Sequence, residues 1–425
     1  MRSMQLLKEK YNVTDTAVKL VREAECALAD MFAFYDDIAE YNTYKVINAF
    51  RTCGIQARHF AGTTGYGYSD EGREKLAELF SVIFGSENAI VSPHIASGTH
   101  AITIALFGLL RPLDTILSIT GRPYDTLSDV IGLTDKHVSG SLADFAIKYQ
   151  QIDLLPTGAI DIRTVLDNLK LNKSIKIVYI QRSRGYELRP ALSVDAIKQA
   201  ICAIREKNNH VKIVVDNCYG EFTEYLEPTD VGADLIIGSL IKNPGSGIAY
   251  TGGYLAGTEE CISLCASRLT TPSTGAEIGS SASGYLPYFQ GIYLAPQAVK
   301  NAVKGACLVS YIYEKLGYLV NPRYDFIRSD ITQAICFRNE NELITFIRAI
   351  QKASPIDSNA VPYPWDMPGY EDKVIMAAGT FIQGATIELS ADAPIRAPFT
   401  AYMQGGIIYE NVKLALLLAL SEKCD

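Results

Sequence analysis

The chain is predicted to fold as an α/β protein: a mostly parallel central sheet with helices on both faces, followed by a smaller α/β lobe. Three observations predict this. Between Asn88 and Gly257 short β-branched runs alternate with amphipathic segments, several of those runs are apolar at every position, and the pattern changes after a Ser-, Gly-, Pro- and Tyr-rich stretch from Pro272 to Gly291. Alternation at that spacing implies right-handed βαβ crossovers. Strands that are apolar throughout are those covered on both faces.

The first sixty residues read as helices, with Thr14 or Asp15 as an N-cap and Val18, Val21, Ala24, Leu28 and Phe32 on one face. We assign 1–57 to a helical arm or packing layer. Arg58 to Gly72 (RHFAGTTGYGYSDEG) has no helical period and reads as a structured loop before a helix from about Arg73 to Phe84, which Gly85 ends. The strands expected next are AIVS, TILSIT, IKIVYIQ, VKIVVD, DLIIGS and AYTGGYLAG, within a large domain spanning 58–294. A long helix from Ala295 to Leu316 opens the small domain, 295–425. It continues with a strand (ITQAICF), a helix (Glu342 to Lys352), a Pro-rich loop (SPIDSNAVPYPWDMPGY), two more strands (VIMAAGTF, ATIELS) and a last helix through Leu420.

Composition narrows the functional classes. The formal charge is -8 and no run of Lys or Arg is long enough to follow a phosphate backbone, so nucleic acid is not an expected partner. No apolar stretch approaches the ~18 residues needed to span a bilayer, and no signal peptide is visible, so no membrane partner and a cytoplasmic location are expected. Nine cysteines scattered from Cys26 to Cys424 fit reduced thiols rather than a disulfide scaffold. Cys261 and Cys265 lack a second ligand pair nearby and are expected to pack on one helix face, with no structural metal.

In an open parallel sheet ligands bind beyond the carboxyl ends of the strands, and four sets of polar residues lie there. After AIVS, Ser97 can cap the helix that follows while Gly98 and Thr99 leave backbone N–H groups open to an anion such as a phosphate. An ordinary helix cap reads the same way. After TILSIT, Tyr124 can stack on a planar cofactor and offer its hydroxyl for proton transfer, although the chain has 25 tyrosines and most tyrosines pack. Asp216 closes the run VKIVV, where a buried carboxylate needs a partner; a protonated pyridine nitrogen or the turn Asn217 to Gly220 would serve. Lys242 follows DLIIGSLI and precedes a Gly/Pro loop, a position suited to a desolvated amine that forms a Schiff base, or to a lysine that snorkels to the surface. Ser239, three residues before it, can turn its hydroxyl to the phosphate.

The order of phosphate loop, aromatic, strand-end Asp and Ser-x-x-Lys, with Lys242 following Asp216 by 26 residues, resembles that of fold-type-I pyridoxal-phosphate enzymes. The runs HFAGTTGYGYSDEGR, SPHIASGTHAI, IQRSRGY, VVDNCYGEF, GSLIKNPGSGIAYTGGY and IELSADAPIRAPFTAYMQGG are similar to the aluminium-resistance proteins, a methionine gamma-lyase-like family. The resemblance extends from about residue 58 to 405. It implies pyridoxal 5'-phosphate bound through Lys242, Asp216, Ser239, Ser97, Gly98, Thr99 and Tyr124, with Lys242 also the base and Tyr124 a proton donor. It further implies an amino-acid substrate and a homo-oligomer, dimer or tetramer, in which Tyr66 or Tyr68 reaches a neighbouring subunit's cofactor phosphate.

The substrate carboxylate calls for a planar cation. Arg396 in SADAPIRAPF is the first candidate, and Arg184 is a rival beside Arg182 and Arg189 in QRSRGYELR. Departures from true gamma-lyases leave the scissile carbon open: Ser-Leu-Ile-Lys stands for Ser-x-Thr-Lys, and Tyr-Asp-Thr for Tyr-Gly-Gly-Thr. The expected activity is β- or γ-elimination from a sulfur-containing amino acid. Aldolase, decarboxylase or aminotransferase chemistry is the alternative on the same core, and a non-catalytic stress-response scaffold that of another class. A nicotinamide enzyme is disfavoured, because no Gly-x-Gly-x-x-Gly follows a first strand.

Overall fold

The computed structural model describes residues 2–134, 137–366 and 372–422. In chain order its main elements begin with α1 (Arg2–Tyr11), α2 (Asp15–Ala27), α3 (Ala29–Thr52), α4 (Glu71–Ile83), β1 (Asn88–Ser92) and α5 (Gly98–Leu109). They continue with β2 (Thr115–Ser118), α6 (Asp125–Ile131), β3 (Lys148–Gln151), α7 (Ile162–Leu171), β4 (Ile175–Gln181), α8 (Val194–Arg205), β5 (Lys212–Asp216), β6 (Leu235–Ser239), β7 (Gly253–Gly257) and α9 (Glu259–Leu269). After α10 (Leu286–Lys315) come β8 (Leu319–Asn321), β9 (Thr332–Cys336), α11 (Glu340–Ala353), β10 (Val374–Ala377), β11 (Ser390–Pro394), β12 (Thr400–Gln404) and α12 (Tyr409–Glu422).

The large sheet has seven strands in the order β1-β7-β6-β5-β4-β2-β3. Pairs among β2 to β6 are parallel, and β7 lies antiparallel between β1 and β6. Alternation along each strand feeds two cores. In β4, Ile177 and Tyr179 enter one core while Val178 and Ile180 enter the other. That division is why these strands carry no polar face. One core holds α5 and α9, with Cys261 and Cys265 buried one turn apart on α9; the other holds α4, α8 and α10. The small sheet, β10-β11-β12-β9-β8, is antiparallel throughout and carries α11, against which α12 packs.

Most predicted elements are present, with informative exceptions. Thr14 caps α2 by accepting from the Ala17 amide at 3.2 Å, and Gly85 follows α4 at φ +59. The edge strand β3 (KYQQ) was not expected, because its residues are largely exposed and carry no apolar alternation. ATIELS is not a strand; β11 begins only at its last residue, Ser390, and runs through Pro394. Glu388 instead turns inward to accept from the Phe381 and Ile382 amides at 2.8 and 2.9 Å, tying down a loop. The last four residues of the Pro-rich loop, 367–370, and Cys424 lie outside the described residues. The other eight cysteines are free thiols. No helix among the described residues is long and apolar enough to cross a membrane.

Two contacts hold the turn that carries Lys242. Gly291 of α10 packs on the backbone of Gly245, where an added Cβ would meet the Gly245 carbonyl oxygen at 2.7 Å. Ser246 Oγ donates to the Gly291 carbonyl at 2.8 Å. On its other side, beneath β6, lies a buried polar layer. Glu221 is fully buried and accepts from the Tyr254 hydroxyl at 2.8 Å, its second oxygen makes no hydrogen bond, and burial pushes its pKa up to about 8.

Gly291→Ala must push α10 away from this turn. It should lower thermal stability, by an overpacking cost of about 1–3 kcal/mol, as read from the shift in melting temperature. Glu221 has a native pKa above its unfolded value, so the folded chain binds more protons and wild-type stability falls as pH rises between about 4.5 and 8. Glu221→Gln removes that dependence. Its melting temperature relative to wild type should therefore climb across the same window, measured by thermal unfolding from pH 5 to 8.

Candidate active site

The site forms where β1, β5 and β6 end. Ser97 caps α5, accepting from the His100 amide at 3.1 Å, and the His100 ring nitrogen accepts from the Ala96 amide at 3.0 Å. Gly98, the first residue of α5, faces the ends of two other strands. A Cβ there would lie 3.4 Å from Cys218 Sγ and 3.5 Å from Ser239 Cβ. The helix start with its open amides, the turn after Asp216 and the buried Ser239 therefore meet at one point.

Tyr124 precedes α6, and its hydroxyl lies 3.1 Å from Thr99 Oγ1, which is also 3.2 Å from Thr126 Oγ1. Gln181, at the end of β4, fixes its backbone by accepting from the Tyr124 amide at 3.1 Å. Burial, followed by the Asp216 charge, pushes the phenol pKa well above its usual value, so Tyr124 holds its proton at neutral pH and is equipped to donate it.

Asp216 is buried at the end of β5. One carboxylate oxygen accepts from the Cys218 amide at 3.1 Å, and the other from the Tyr179 hydroxyl at 3.5 Å. Burial raises its pKa, opposed chiefly by the Lys242 charge. Desolvation outweighs the Lys242 charge, and a protonated ring nitrogen beside the carboxylate would stabilise it further.

The turn after Asp216 is held by a wholly buried cation. Arg182 donates to Asn217 Oδ1 at 2.7 Å and to Glu224 Oε1 at 2.6 Å, and a side chain at Gly220 would strike its guanidinium at 2.5 Å. These bonds, with the Glu227 carboxylate 3.7 Å away, commit Arg182 to the inside of this turn.

Lys242 leaves the sheet with φ −92 and ψ −144, and its Nζ lies 4.0 Å from the centre of the Tyr219 ring. Burial alone would lower its pKa, but Cys218, Tyr219, Asp216 and Tyr124 together raise it. Burial also raises the Cys218 thiol pKa and pushes the Tyr219 phenol up to about 12, so both stay neutral near pH 7. Asp216 is then the formal counter-ion of the lysine. Tyr219 was not singled out from the sequence. The signal appears only in the backbone, where this non-glycine residue sits at φ +69, a strained conformation that needs a reason.

The small lobe brings further side chains to this face. Asp392 and Tyr402 are cross-strand partners on β11 and β12, as are Ser390 and Gln404. Tyr186 donates a hydrogen bond to the Asp392 carboxylate, and Tyr402 Oη donates to the Tyr186 carbonyl at 2.6 Å. Tyr219 in turn lies against Gln404 and within the field of Asp392.

The two arginine candidates separate. Arg184 is buried, donates through Nη1 to the Asn321 carbonyl and side chain at 2.5 and 2.9 Å, and faces Asp330 at 3.9 Å. Its Nε and Nη2 make no hydrogen bond, and burial lowers its pKa to about 10. Arg189 also turns inward, to the carbonyls of Gln181 and Ser183. Arg396 is 57% exposed and donates to Asp372 at 2.9 Å. Burial pushes the Tyr402 phenol pKa up to about 12, and the charges of Arg184 and Arg396 partly oppose that rise. Tyr66 and Tyr68 stand apart, 72% and 62% exposed, on a loop tied to Gly279 by the Tyr66 carbonyl.

The methionine gamma-lyase family profile matches residues 17–424. An uncharacterized protein of Bacillus subtilis, YnbB, is 48% identical over 402 residues, 95% of each chain. The L-methionine gamma-lyase of Pseudomonas putida is 24% identical over 229 residues, 53% of this chain and 52% of that one. Among solved structures, a carbon-sulfur lyase involved in aluminum resistance from Clostridium novyi NT superposes with a TM-score of 0.96 at 48% identity, covering 100% of this chain and 99% of the other. The pyridoxal-5'-phosphate-dependent protein YhfS of Escherichia coli shares the fold alone, with a TM-score of 0.58 at 15% identity over 90% and 96% of the chains. The chain therefore belongs to the methionine gamma-lyase family.

Proposed function

We propose that the protein is a pyridoxal-phosphate-dependent carbon–sulfur lyase that acts on a sulfur-containing amino acid by β- or γ-elimination. The observation that carries this reading is the gathering of Lys242, Asp216, Tyr124, Ser239 and the start of α5 at one end of the sheet. Membership of the methionine gamma-lyase family supports it, as does similarity to a carbon-sulfur lyase of Clostridium novyi NT.

The residues fit the cofactor by their chemistry. The α5 N-terminus, with Ser97, Gly98, Thr99 and Ser239, would hold the phosphate through amides and hydroxyls. Asp216, buried at the end of β5, would keep the ring nitrogen protonated. Lys242 would hold the aldehyde carbon. When bound, the cofactor supplies the sink for the electron pair released at the substrate Cα.

The chain's own groups supply the rest. The Lys242 amine, once displaced by substrate, takes the Cα proton; its ammonium form is stabilised by Asp216 and by the Tyr219 ring 4.0 Å away. Tyr124, which holds its proton at neutral pH, delivers it to the departing sulfur. Arg396, the exposed arginine, receives the α-carboxylate after exchanging its Asp372 partner. Arg184, closed off from solvent, braces β8 against the end of β4. We further propose a homo-oligomer in which exposed Tyr66 or Tyr68 completes a neighbouring site.

Purified protein supplied with pyridoxal phosphate should show a yellow visible band, and borohydride should fix the cofactor onto Lys242. Colourless protein that takes up no cofactor would falsify the reading. Incubation with cystathionine, methionine and cysteine should release a keto acid and a thiol together, whereas keto acid without thiol would redirect the assignment to another pyridoxal-phosphate reaction. Asp216→Asn should keep the cofactor but lose turnover, by on the order of 10²-fold or more in kcat, as seen by comparing cofactor content with rate.

A further inference from the structure

Glu221 differs from other carboxylates that the protein buries without an ion pair. Asp70 has both oxygens bonded, one to the Arg73 amide and one to the hydroxyls of Thr63 and Tyr285. Glu388 likewise has one oxygen on the Phe381 amide and the other on the Ile382 amide. Glu221 Oε1 accepts from the Tyr254 hydroxyl at 2.8 Å, but Oε2 is buried with no hydrogen-bond donor. A second buried oxygen without a donor, Asn243 Oδ1, belongs to the residue that follows Lys242. The two residues are already in contact, because Asn243 Nδ2 donates to the Glu221 carbonyl at 3.0 Å.

Both groups sit against the segment that presents the lysine. Glu221 packs on Gly238 of β6, where an added Cβ would meet Oε1 at 2.6 Å and strike the Tyr254 ring, so this strand tolerates the acid only with glycine at 238. The Lys242 amide donates to the Ser239 carbonyl at 3.3 Å and the Gly245 amide to the Lys242 carbonyl at 3.0 Å, which places Asn243 inside the turn that aims the lysine. Two buried acceptors without a donor are costly, and one proton satisfies both: Oε2 becomes a hydroxyl that donates, and Asn243 Oδ1 accepts. The charges around Glu221 agree. Glu224 and Glu227 face Arg182 at 2.6 and 3.7 Å, and Lys45 of α3, whose Nζ lies 5.7 Å from the Phe222 ring centre, also favours the Glu227 anion against burial. Tyr254 and Cys218 are held neutral by burial. Of the charges acting on Glu221, Glu227 disfavours the anion and Lys242 favours it, but Lys242 has Asp216 as its counter-ion.

We propose that Glu221 is a positioning residue for Lys242: held as a neutral acid, it donates to Asn243 Oδ1 and locks the turn from which the lysine reaches cofactor and substrate. Ionisation releases the proton to solvent, removes that donor and sets a second negative charge behind the lysine. The proposal rests on the lyase reading, because that reading gives Lys242 a proton to move.

Two variants separate the donor from the space it fills. Glu221→Gln carries an amide donor at every pH, and Glu221→Met fills the volume without one. The infrared spectrum of wild type minus that of Glu221→Gln should show the carbonyl band of a protonated carboxylic acid, lost as pH rises through about 8. In pyridoxal-phosphate-loaded protein, exchange of the L-norleucine Cα proton in deuterated buffer reports on Lys242 without any sulfur leaving group. Wild type should lose exchange as pH rises through about 8, since the acid form is the one that donates, and Glu221→Gln should hold it. Glu221→Met should be about 10-fold slower at every pH, as expected for a buried acceptor deprived of its donor. Absence of the acid band overturns the proposal, as does the wild-type alkaline limb in Glu221→Gln or a wild-type rate in Glu221→Met. If Glu221→Met does not fold, the band and the Glu221→Gln profile decide. The two readings also fail separately: protein that binds no cofactor sinks both, whereas loaded protein that exchanges the proton but lacks the acid band sinks only this one.

Discussion

A carboxylate buried at the end of a strand is the constraint from which most of the site follows. Asp216 ends β5 inside the protein, where its charge is costly without a partner. The surroundings answer that cost in layers. The Cys218 amide and Tyr179 hydroxyl solvate the oxygens, Lys242 opposes the charge, and the turn that presents these groups is pinned by the buried Arg182 through Asn217 and Glu224. Arg182 thus keeps the turn after Asp216 in one shape.

The same constraint governs the proton balance. Burial raises the phenols of Tyr124 and Tyr219 and the thiol of Cys218, leaving them neutral, so Lys242 and Asp216 are the charged pair at the centre. Tyr124 and Lys242 titrate apart because burial keeps the phenol neutral while neighbouring groups favour the charged amine. The strained backbone at Tyr219 places a ring beside the lysine that no regular turn would place there.

The small lobe supplies what the large lobe lacks. The face bearing Asp392, Tyr402 and Gln404 meets Tyr186 and Tyr219 across the junction between lobes, and the two arginine candidates reach Tyr402 from different segments.

By itself the sequence determined the strand runs, the two-sided burial of the large sheet and the order of Ser97, Asp216, Ser239 and Lys242, because these depend on local periodicity and on residues a few positions apart. Tertiary structure decided what periodicity cannot encode. The polar edge strand β3 is stabilised by pairing with β2 rather than by its own side chains. The antiparallel insertion of β7, and β11 in place of ATIELS, depend on which neighbours offer free backbone groups. Arg182 and Arg184, close in sequence to Arg189, could be told from Arg396 only once burial was known, since a guanidinium's role depends on whether water or a carboxylate surrounds it. Tyr219 was set beside Lys242 only by the folded turn after Asp216, a backbone conformation that local periodicity does not encode.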